Sequence, residues 1–380
     1  MARIVVGSTM IRYPLGGMNQ WVLAWLVGFK RLGHKVYVVE KSGWENSCYD
    51  LSKKIMTDDC RYGVGVVSGL LRRFGLEENW CFVDAAGVYH GLSRERLGTV
   101  IQSADLFVDL EGTEWLEETA GIPLRVFVDG EPGWCQMKME KILRANKDWS
   151  GHDRYYTIGM NIGTPNTSAP TGRKEWKHLF PPALLELFPY QAVNQDAPFT
   201  TVMNWKSHGH VEFDGVSYGQ KETEFAKFID LPTRTPARME IAVSGSNVPR
   251  QELRNRGWSV HNADQITVSI DTYRDYILES KGEFSVVKNV FAATNCGWFG
   301  DREAYYMSTG RPVVLEETGF SAHLPVGEGL FAVRTVEEAA AAIDEINQDF
   351  ERHSRRAREI AIEFLDAPRV LGKLLQELGM

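Results

Sequence analysis

The sequence predicts an α/β protein of two domains, each built around a parallel β-sheet with helices on both faces. Three observations carry that expectation. The chain has 380 residues, more than one hydrophobic core usually organises and enough for two domains of roughly 190 residues each. Short all-apolar runs, which strands buried on both faces require, alternate with helical stretches in both halves. A segment dense in proline and glycine separates the two series.

Ile4-Val5-Val6 opens the first series as a buried strand. Gly16-Gly17 precedes a helical stretch from Met18 to Leu32, where Trp21, Leu23, Trp25, Leu26 and Phe29 recur at helical spacing and Gly33 supplies the stop. Lys35–Val39 is the second strand, ending at Glu40; Leu106–Val108 and Arg125–Val128 follow, closing on Asp109 and Asp129. Between Gly151 and Ala197 the breakers Gly-Thr-Pro, Ser-Ala-Pro, Pro-Thr-Gly and Pro181-Pro182 predict a long loop or interdomain linker. The second series has strands at Thr200–Met203, Met239–Val243 and Pro312–Leu315, and helices over Tyr218–Phe228, Asp301–Thr309 and Val336–Gln348. His353 to Leu378 is a charged helical tail. The halves thus repeat one Rossmann-like architecture. The expected division is 1–195 for the first domain with its linker, 196–352 for the second, and 353–380 for the terminal helix.

Composition narrows the function. Apolar residues at 43% and charged residues at 24% suit an ordinary globular protein and exclude disorder as the dominant state. A formal net charge of −8 lacks the basic footprint of a nucleic-acid binder and argues against that partner. The 5 cysteines are scattered, with no C-x-x-C pair, so the expectation is reduced thiols in a cytoplasmic protein rather than a zinc knuckle or disulfide framework. Met1-Ala2-Arg3 runs straight into the first strand without a leader's apolar region, and no apolar run is long enough for a membrane span.

Ligands of open α/β sheets bind beyond the carboxyl ends of the strands, which directs attention to the loops there. The richest is Asn295–Val314: a glycine-bearing loop, a short helix, a Gly310-Arg311-Pro312 break and a buried strand. A helix start preceded by glycines offers free N–H groups and a favourable dipole, so Gly300, Asp301 and Arg302 form a candidate diphosphate cradle; the plain alternative is Asp301 as an N-terminal cap. Lys206, closing the Thr200–Met203 strand after Asn204-Trp205, and Lys281, beside Gly282, are cations placed to neutralise phosphate. Gly16 and Gly17 allow close approach of an acceptor, or make a simple tight turn.

The pattern Gly297-x-Phe299-Gly300, nine residues, Gly310-Arg311-Pro312-Val313-Val314, then Glu316-Glu317-Thr318-Gly319-Phe320 resembles the donor-binding signature of GT-B glycosyltransferases. It looks more narrowly like a bacterial group with Asp301-Arg302 at the helix start and Thr318-Gly319-Phe320 after the strand. Asp129-Gly130-Glu131-Pro132-Gly133, His152-Asp153 and Asn161-Ile162-Gly163 are similar to that group too. The likeness is strongest over residues 280–345 and thinner over 125–185.

What the resemblance implies is a GT-B fold: two Rossmann-like domains facing a cleft, with the terminal helix crossing back to the first. The activity it implies is sugar transfer from a nucleotide-sugar, such as a UDP-sugar, to a hydroxylated small molecule or glycan. On that reading Gly297, Gly300, Asp301, Arg302, Lys206 and Lys281 hold the donor, Glu317, Thr318 and Gly319 hold its sugar, and neither a metal nor a resident cofactor is expected. No Asp-x-Asp triplet occurs. One departure stands out. Tyr305 occupies the position of the ribose-binding glutamate of retaining enzymes, while Glu303 lies two residues earlier. Ribose contacts would then fall to a residue such as Asp301, and the stereochemical course stays open. An inverting enzyme needs a base. Gly7 to Gln20 contains no histidine, His208 and His210 are isolated, and Asp129, then Glu131, are the candidates. Three alternatives stand beside this reading: an NAD-dependent oxidoreductase using Glu40, although the first loop lacks G-x-G-x-x-G; transfer to a modified nucleobase; and a non-catalytic binding module.

Overall fold

The computed structural model describes every residue except 114, 116, 148, 150 and 208. Its larger sheet runs, in spatial order, Trp176–His178, Arg154–Thr157, Leu124–Asp129, Leu106–Leu110, Arg3–Gly7, Lys35–Lys41, Trp80–Val83 and Tyr89–Gly91. All neighbours are parallel except the last pair, an antiparallel edge hairpin. The second sheet is parallel throughout: Ser259–Asn262, Met239–Ser244, Phe199–Asn204, Gly282–Ser285, Val313–Glu316 and Leu330–Val333. Numbered along the chain, the parallel strands of both sheets stand in the order 3-2-1-4-5-6, and the larger sheet adds a seventh. In each sheet the winding reverses between strands 1 and 4, which opens a crevice at their carboxyl ends. The crevices lie beyond Gly7 and Leu110 in the first sheet and beyond Asn204 and Ser285 in the second.

The strands form where the apolar runs predict them, because Ile4, Val5 and Val6 are fully buried between helices on both faces. The segment 151–197 is more than a linker. Arg154–Thr157 and Trp176–His178 extend the first sheet, held by the aromatic packing of Phe127, Tyr155 and Trp176. The prolines and glycines occupy the connections around them. The expected helix over Tyr218–Phe228 begins only at Lys221, because Val216–Tyr218 pairs back onto Val211–Phe213 as a small hairpin.

The first helix, Gly16–Arg31, buries Trp21 to Phe29. Its outer side is covered by the terminal helix Ala367–Glu377, and a Cβ at Gly28 would meet Leu371 2.6 Å away, so the glycine sets the closeness of the two helices. The return to the first domain comes later than residue 353. Helix Phe350–Ile360 still lies on the second domain, where Arg358 bonds the Ser308 carbonyl. A π-turn at Ala361–Leu365 then carries the chain across, pinned by Ala183 N–H to Leu365 O at 2.7 Å. Elsewhere the domains touch through Gly16 N–H to Thr267 O at 2.7 Å, the Arg73–Asp271 ion pair at 2.7 Å, and a bridge between Gly159 and Trp298. Among the described residues no helix is long and apolar enough to cross a membrane.

Candidate active site

The two crevices face one another across a cavity of about 390 Å³. The first domain lines it with Leu15, Gly17, Met18, Trp21, Glu111, Glu131 and Ile158; the second with Asn204, Lys221, Lys288, Phe291, Trp298, Asp301, Arg302 and Glu303.

The second-domain wall carries Lys221, Lys288 and Arg302 together with the carboxylates of Asp301 and Glu303. Helix Asp301–Ser308 starts at Gly300, which supplies no side-chain cap, with Asp301 and Glu303 in its first turn. Gly300 is needed because a Cβ there would run into the Trp298 indole and the Glu303 carboxylate. Arg302 turns inward: it bonds the Glu283 and Ser285 side chains, Glu303 Oε1 at 2.6 Å and the Val202 carbonyl at 2.6 Å. It therefore buttresses the wall more than it reaches into the cavity. Glu303 is fully buried; burial raises its pKa, yet Arg302, Lys221 and the Ser285 hydroxyl together outweigh that and hold it below the ordinary carboxylate range. Glu283 goes the other way, pushed up to about 8 by burial and by the neighbouring Glu303 charge. Lys221, at the first turn of helix Lys221–Phe228, makes no ion pair within 4.0 Å among the described residues. Burial, then the Arg302 charge, lowers its pKa to about 7. Lys288 follows the fourth strand and crosses the cleft to Glu131, Nζ to Oε1 at 2.6 Å.

On the opposite wall stands Glu111, just past strand Leu106–Leu110 and open to the cleft. Its φ of 67° is left-handed, a conformation that costs a non-glycine residue energy. The surroundings impose it. Asp109 Oδ1 accepts the Thr113 N–H at 2.8 Å and closes a tight loop around Glu111-Gly112. Asp109 Oδ2 is tied to His152 Nε2 at 2.8 Å in a buried pair. The Glu111 carboxylate lies against Gly130, where a Cβ would collide with Oε1. Desolvation between the walls, followed by the Glu131 charge, raises its pKa.

Several residues singled out from sequence lie elsewhere. Asp129 does not reach the cleft: it is 1% exposed, and its carboxylate accepts from Glu131 N–H at 2.8 Å, Gln136 Nε2 at 2.7 Å and the Thr157 hydroxyl at 2.8 Å. Burial raises its pKa to about 6. Glu131 reaches the cleft but is held by Lys288. Lys281 precedes its strand rather than following it, so it points away from the cleft and bonds the Gln195 carbonyl at 2.9 Å. Lys206 is on the cleft side, 3.6 Å from Glu222, and Trp205 packs into the core against Phe225. The Glu317-Thr318-Gly319 turn faces the first domain instead of the cavity. Gly319 packs on Asn161, Thr318 bonds the Trp298 carbonyl at 2.6 Å, and Glu317 accepts the Gly319 N–H. Gly297 (φ 78°) lies against Met160 and Asn161 in the same contact. Gly16 abuts the Ser269 carbonyl of the second domain, while Gly17 lines the cleft. Asp301 lines it too, its pKa raised to about 6 by burial and then by Glu303. His210 is paired with Glu222 at 3.1 Å, and His208 lies outside the described residues.

No family model and no curated relative matches the chain. Solved structures do. The Anabaena protein HepE in complex with UDP-glucose superposes with a TM-score of 0.60 at 12% identity, covering 100% of both chains. An α-glucosyltransferase in complex with UDP superposes with a TM-score of 0.59 at 11% identity, again over 100% of both chains. The fold is GT-B. In this GT-B arrangement Glu40, which would hold a ribose in an NAD enzyme, is 1% exposed and already accepts from Ile11 N–H at 2.7 Å and Arg12 N–H at 2.8 Å. Burial, against the pull of Arg12, raises its pKa to about 7. Glu111, Lys221 and Lys288 escaped the sequence analysis. The available signals were an acid–glycine pair just after an apolar strand and a lysine opening the helix that follows the first strand of the second domain.

Proposed function

We propose that the chain is a nucleotide-sugar-dependent glycosyltransferase whose donor diphosphate sits between Lys221, Lys288 and the open start of helix Asp301–Ser308. The observation that carries this reading is Lys221. It is an ammonium in a cleft, with no carboxylate partner within 4.0 Å among the described residues, facing the positive charges of Arg302 and Lys288. Arg302 and Lys288 already have carboxylate partners, which leaves Lys221 as the buried cation whose desolvation an arriving anion offsets, with the helix dipole beside it. A diphosphate leaving group develops its charge there, and preorganised cations lower the barrier to its departure. UDP is the expected nucleotide, because the GT-B structures similar to this chain hold UDP or UDP-glucose.

Glu111 is the proposed catalytic carboxylate, taking the acceptor hydroxyl's proton from across the cleft. Asp109, Thr113 and Gly130 position it. The apolar shelf of Leu15, Met18, Trp21 and Ile158 beside it suits a hydroxylated acceptor with an apolar face. The net charge of −8 disfavours nucleic acid in that role. A calorimetric screen of UDP-, TDP- and GDP-sugars against NAD tests the reading. Saturable binding of one nucleotide-sugar, weakened in Lys221→Met, is the expected result. Binding of NAD alone would sink it.

A further inference from the structure

At the free edge of the larger sheet, away from the cleft, three potential ligand atoms converge. Asp84 follows strand Trp80–Val83, and His90 lies on the returning strand Tyr89–Gly91, paired with Phe82. Cys60 caps the start of helix Arg61–Arg73 beneath them. His90 Nε2 is 2.9 Å from Asp84 Oδ2 and 3.6 Å from Cys60 Sγ, and all three atoms lie within 4.8 Å of one another. None of the three residues lines the cavity between the domains. The edge stands three strands from Arg3–Gly7, roughly 14 Å at ordinary strand spacing.

The arrangement differs from a nucleophile triad in one decisive respect. In a triad, thiol and carboxylate sit on opposite ring nitrogens, so that the imidazole can pass a proton between them. Here both crowd the same nitrogen. A single N–H could reach both only as a shared three-centre bond, weak to the sulfur at 3.6 Å, and an unprotonated Nε2 would face a carboxylate lone pair. Three lone pairs aimed at one point suit a cation. The spacing agrees. A tetrahedral zinc with bonds of about 2.3 Å to sulfur and about 2.0 Å to nitrogen sets those two ligands about 3.6 Å apart. The supporting shell is present as well: Asp84 Oδ1 accepts the Ala86 and Val88 N–H groups, each at 2.9 Å, which fixes the carboxylate and leaves Oδ2 for the metal. With the thiol ionised, the donors carry two negative charges, matching a divalent ion.

We propose that Cys60 Sγ, Asp84 Oδ2 and His90 Nε2 bind one divalent transition-metal ion of the zinc class, with water completing the tetrahedron. The thiol proton is released to solvent as the metal–sulfur bond forms. Side-chain exposures of 28% for His90 and 16% for Asp84 leave room for that water. The ion would tie the start of helix Arg61–Arg73 to the edge hairpin, a structural clip outside the transfer reaction.

The test is cobalt titration of the chelator-stripped full-length protein. One equivalent of Co²⁺ is expected to give the visible bands of a tetrahedral ion together with a thiolate-to-metal charge-transfer band, both lost on adding Zn²⁺. Cys60→Ser should remove the charge-transfer band. His90→Ala and Asp84→Asn should weaken zinc at least tenfold against a chromophoric chelator, with UDP-glucose binding in the cleft unchanged. Absence of a thiolate band in the wild-type protein, its persistence in Cys60→Ser, or unchanged zinc affinity in both other variants would each overturn the assignment.

Discussion

The charge state of Lys221 should make donor binding depend on pH in a defined direction. Burial and the Arg302 charge hold its pKa at about 7 in the free protein, against an ordinary value of 10.5. A diphosphate beside it adds opposite charge that offsets the depression, so the bound lysine stays protonated above pH 7. Binding then takes up a proton once the pH exceeds the free pKa, and affinity falls as pH rises. With a free pKa of about 7 the protonated fraction drops about tenfold between pH 6 and pH 8, so the dissociation constant should rise about tenfold, or about 1.4 kcal/mol. A nucleotide-sugar is the right probe, because its diphosphate keeps a constant charge across this window. Isothermal titration of UDP-glucose at the two pH values, in buffers of differing ionisation enthalpy, reads both the affinity change and the proton uptake. Lys221→Met should flatten the profile and lose about 1.5–3 kcal/mol of binding at pH 6, the scale of a charged hydrogen bond. The same depression means that the ligand-free fold loses stability as pH falls from about 10.5 to about 7, with the whole cost present at pH 6. The variant should therefore melt higher than wild type at pH 6, which separates a lost contact from a damaged fold. A pH-independent wild-type affinity, or a slope retained in Lys221→Met, would refute the reasoning.

Other outcomes follow from the same geometry. Asp129→Ala strands three donors, from Glu131, Gln136 and Thr157; thermal denaturation should show a loss of about 2–4 kcal/mol with UDP-glucose affinity intact. Because the folded-state pKa of Asp129 is raised to about 6, the native protein holds that proton more tightly than the unfolded chain. Its contribution to stability should accordingly fall as pH climbs from the ordinary carboxylate range through about 6. Arg302→Met leaves Glu283 and Glu303 buried without their cation, so it should cost about 3–5 kcal/mol in urea unfolding, more than loss of a surface ligand would. Lys288→Met cuts the Glu131 bridge across the cleft, so small-angle scattering without ligand should show a more open particle, and an unchanged curve would assign domain closure to the other contacts.

The two sheets were legible because Ile4–Val6 and Val313–Leu315 are continuous apolar runs, which only a doubly covered parallel strand accommodates. The glycine loop and helix over Gly297–Ser308 were legible because the helix start is written in glycines, and Gly300, Asp301 and Arg302 do line or flank the cleft. Strand Gly282–Ser285 was not, since Glu283 and Ser285 interrupt its apolar run and are buried beside Arg302 and Glu303. Asp129 misled for a related reason. A strand-ending acid predicts a cleft carboxylate, but partners from helix Trp134–Arg144 and strand Arg154–Thr157 absorb it, and neither contact is local in sequence. Glu111 is set apart by its place at the cleft rather than by residue type, and the loop that holds it there depends on Asp109 and His152, far apart in the chain. Lys281 was misplaced by direction: a residue before a parallel strand lies at the opposite end of the sheet from one after it.

The central claim is that a nucleotide-sugar held by the second domain reacts at Glu111. Its most direct test is the rate of glucose release from UDP-glucose by wild type and by Glu111→Gln, with UDP-glucose affinity measured on the same preparations. Glu111→Gln keeps the shape of the side chain and removes its basicity. The account predicts that affinity changes little while turnover falls about 10²–10⁴-fold. Turnover within a few-fold of wild type, at equal affinity, would contradict it.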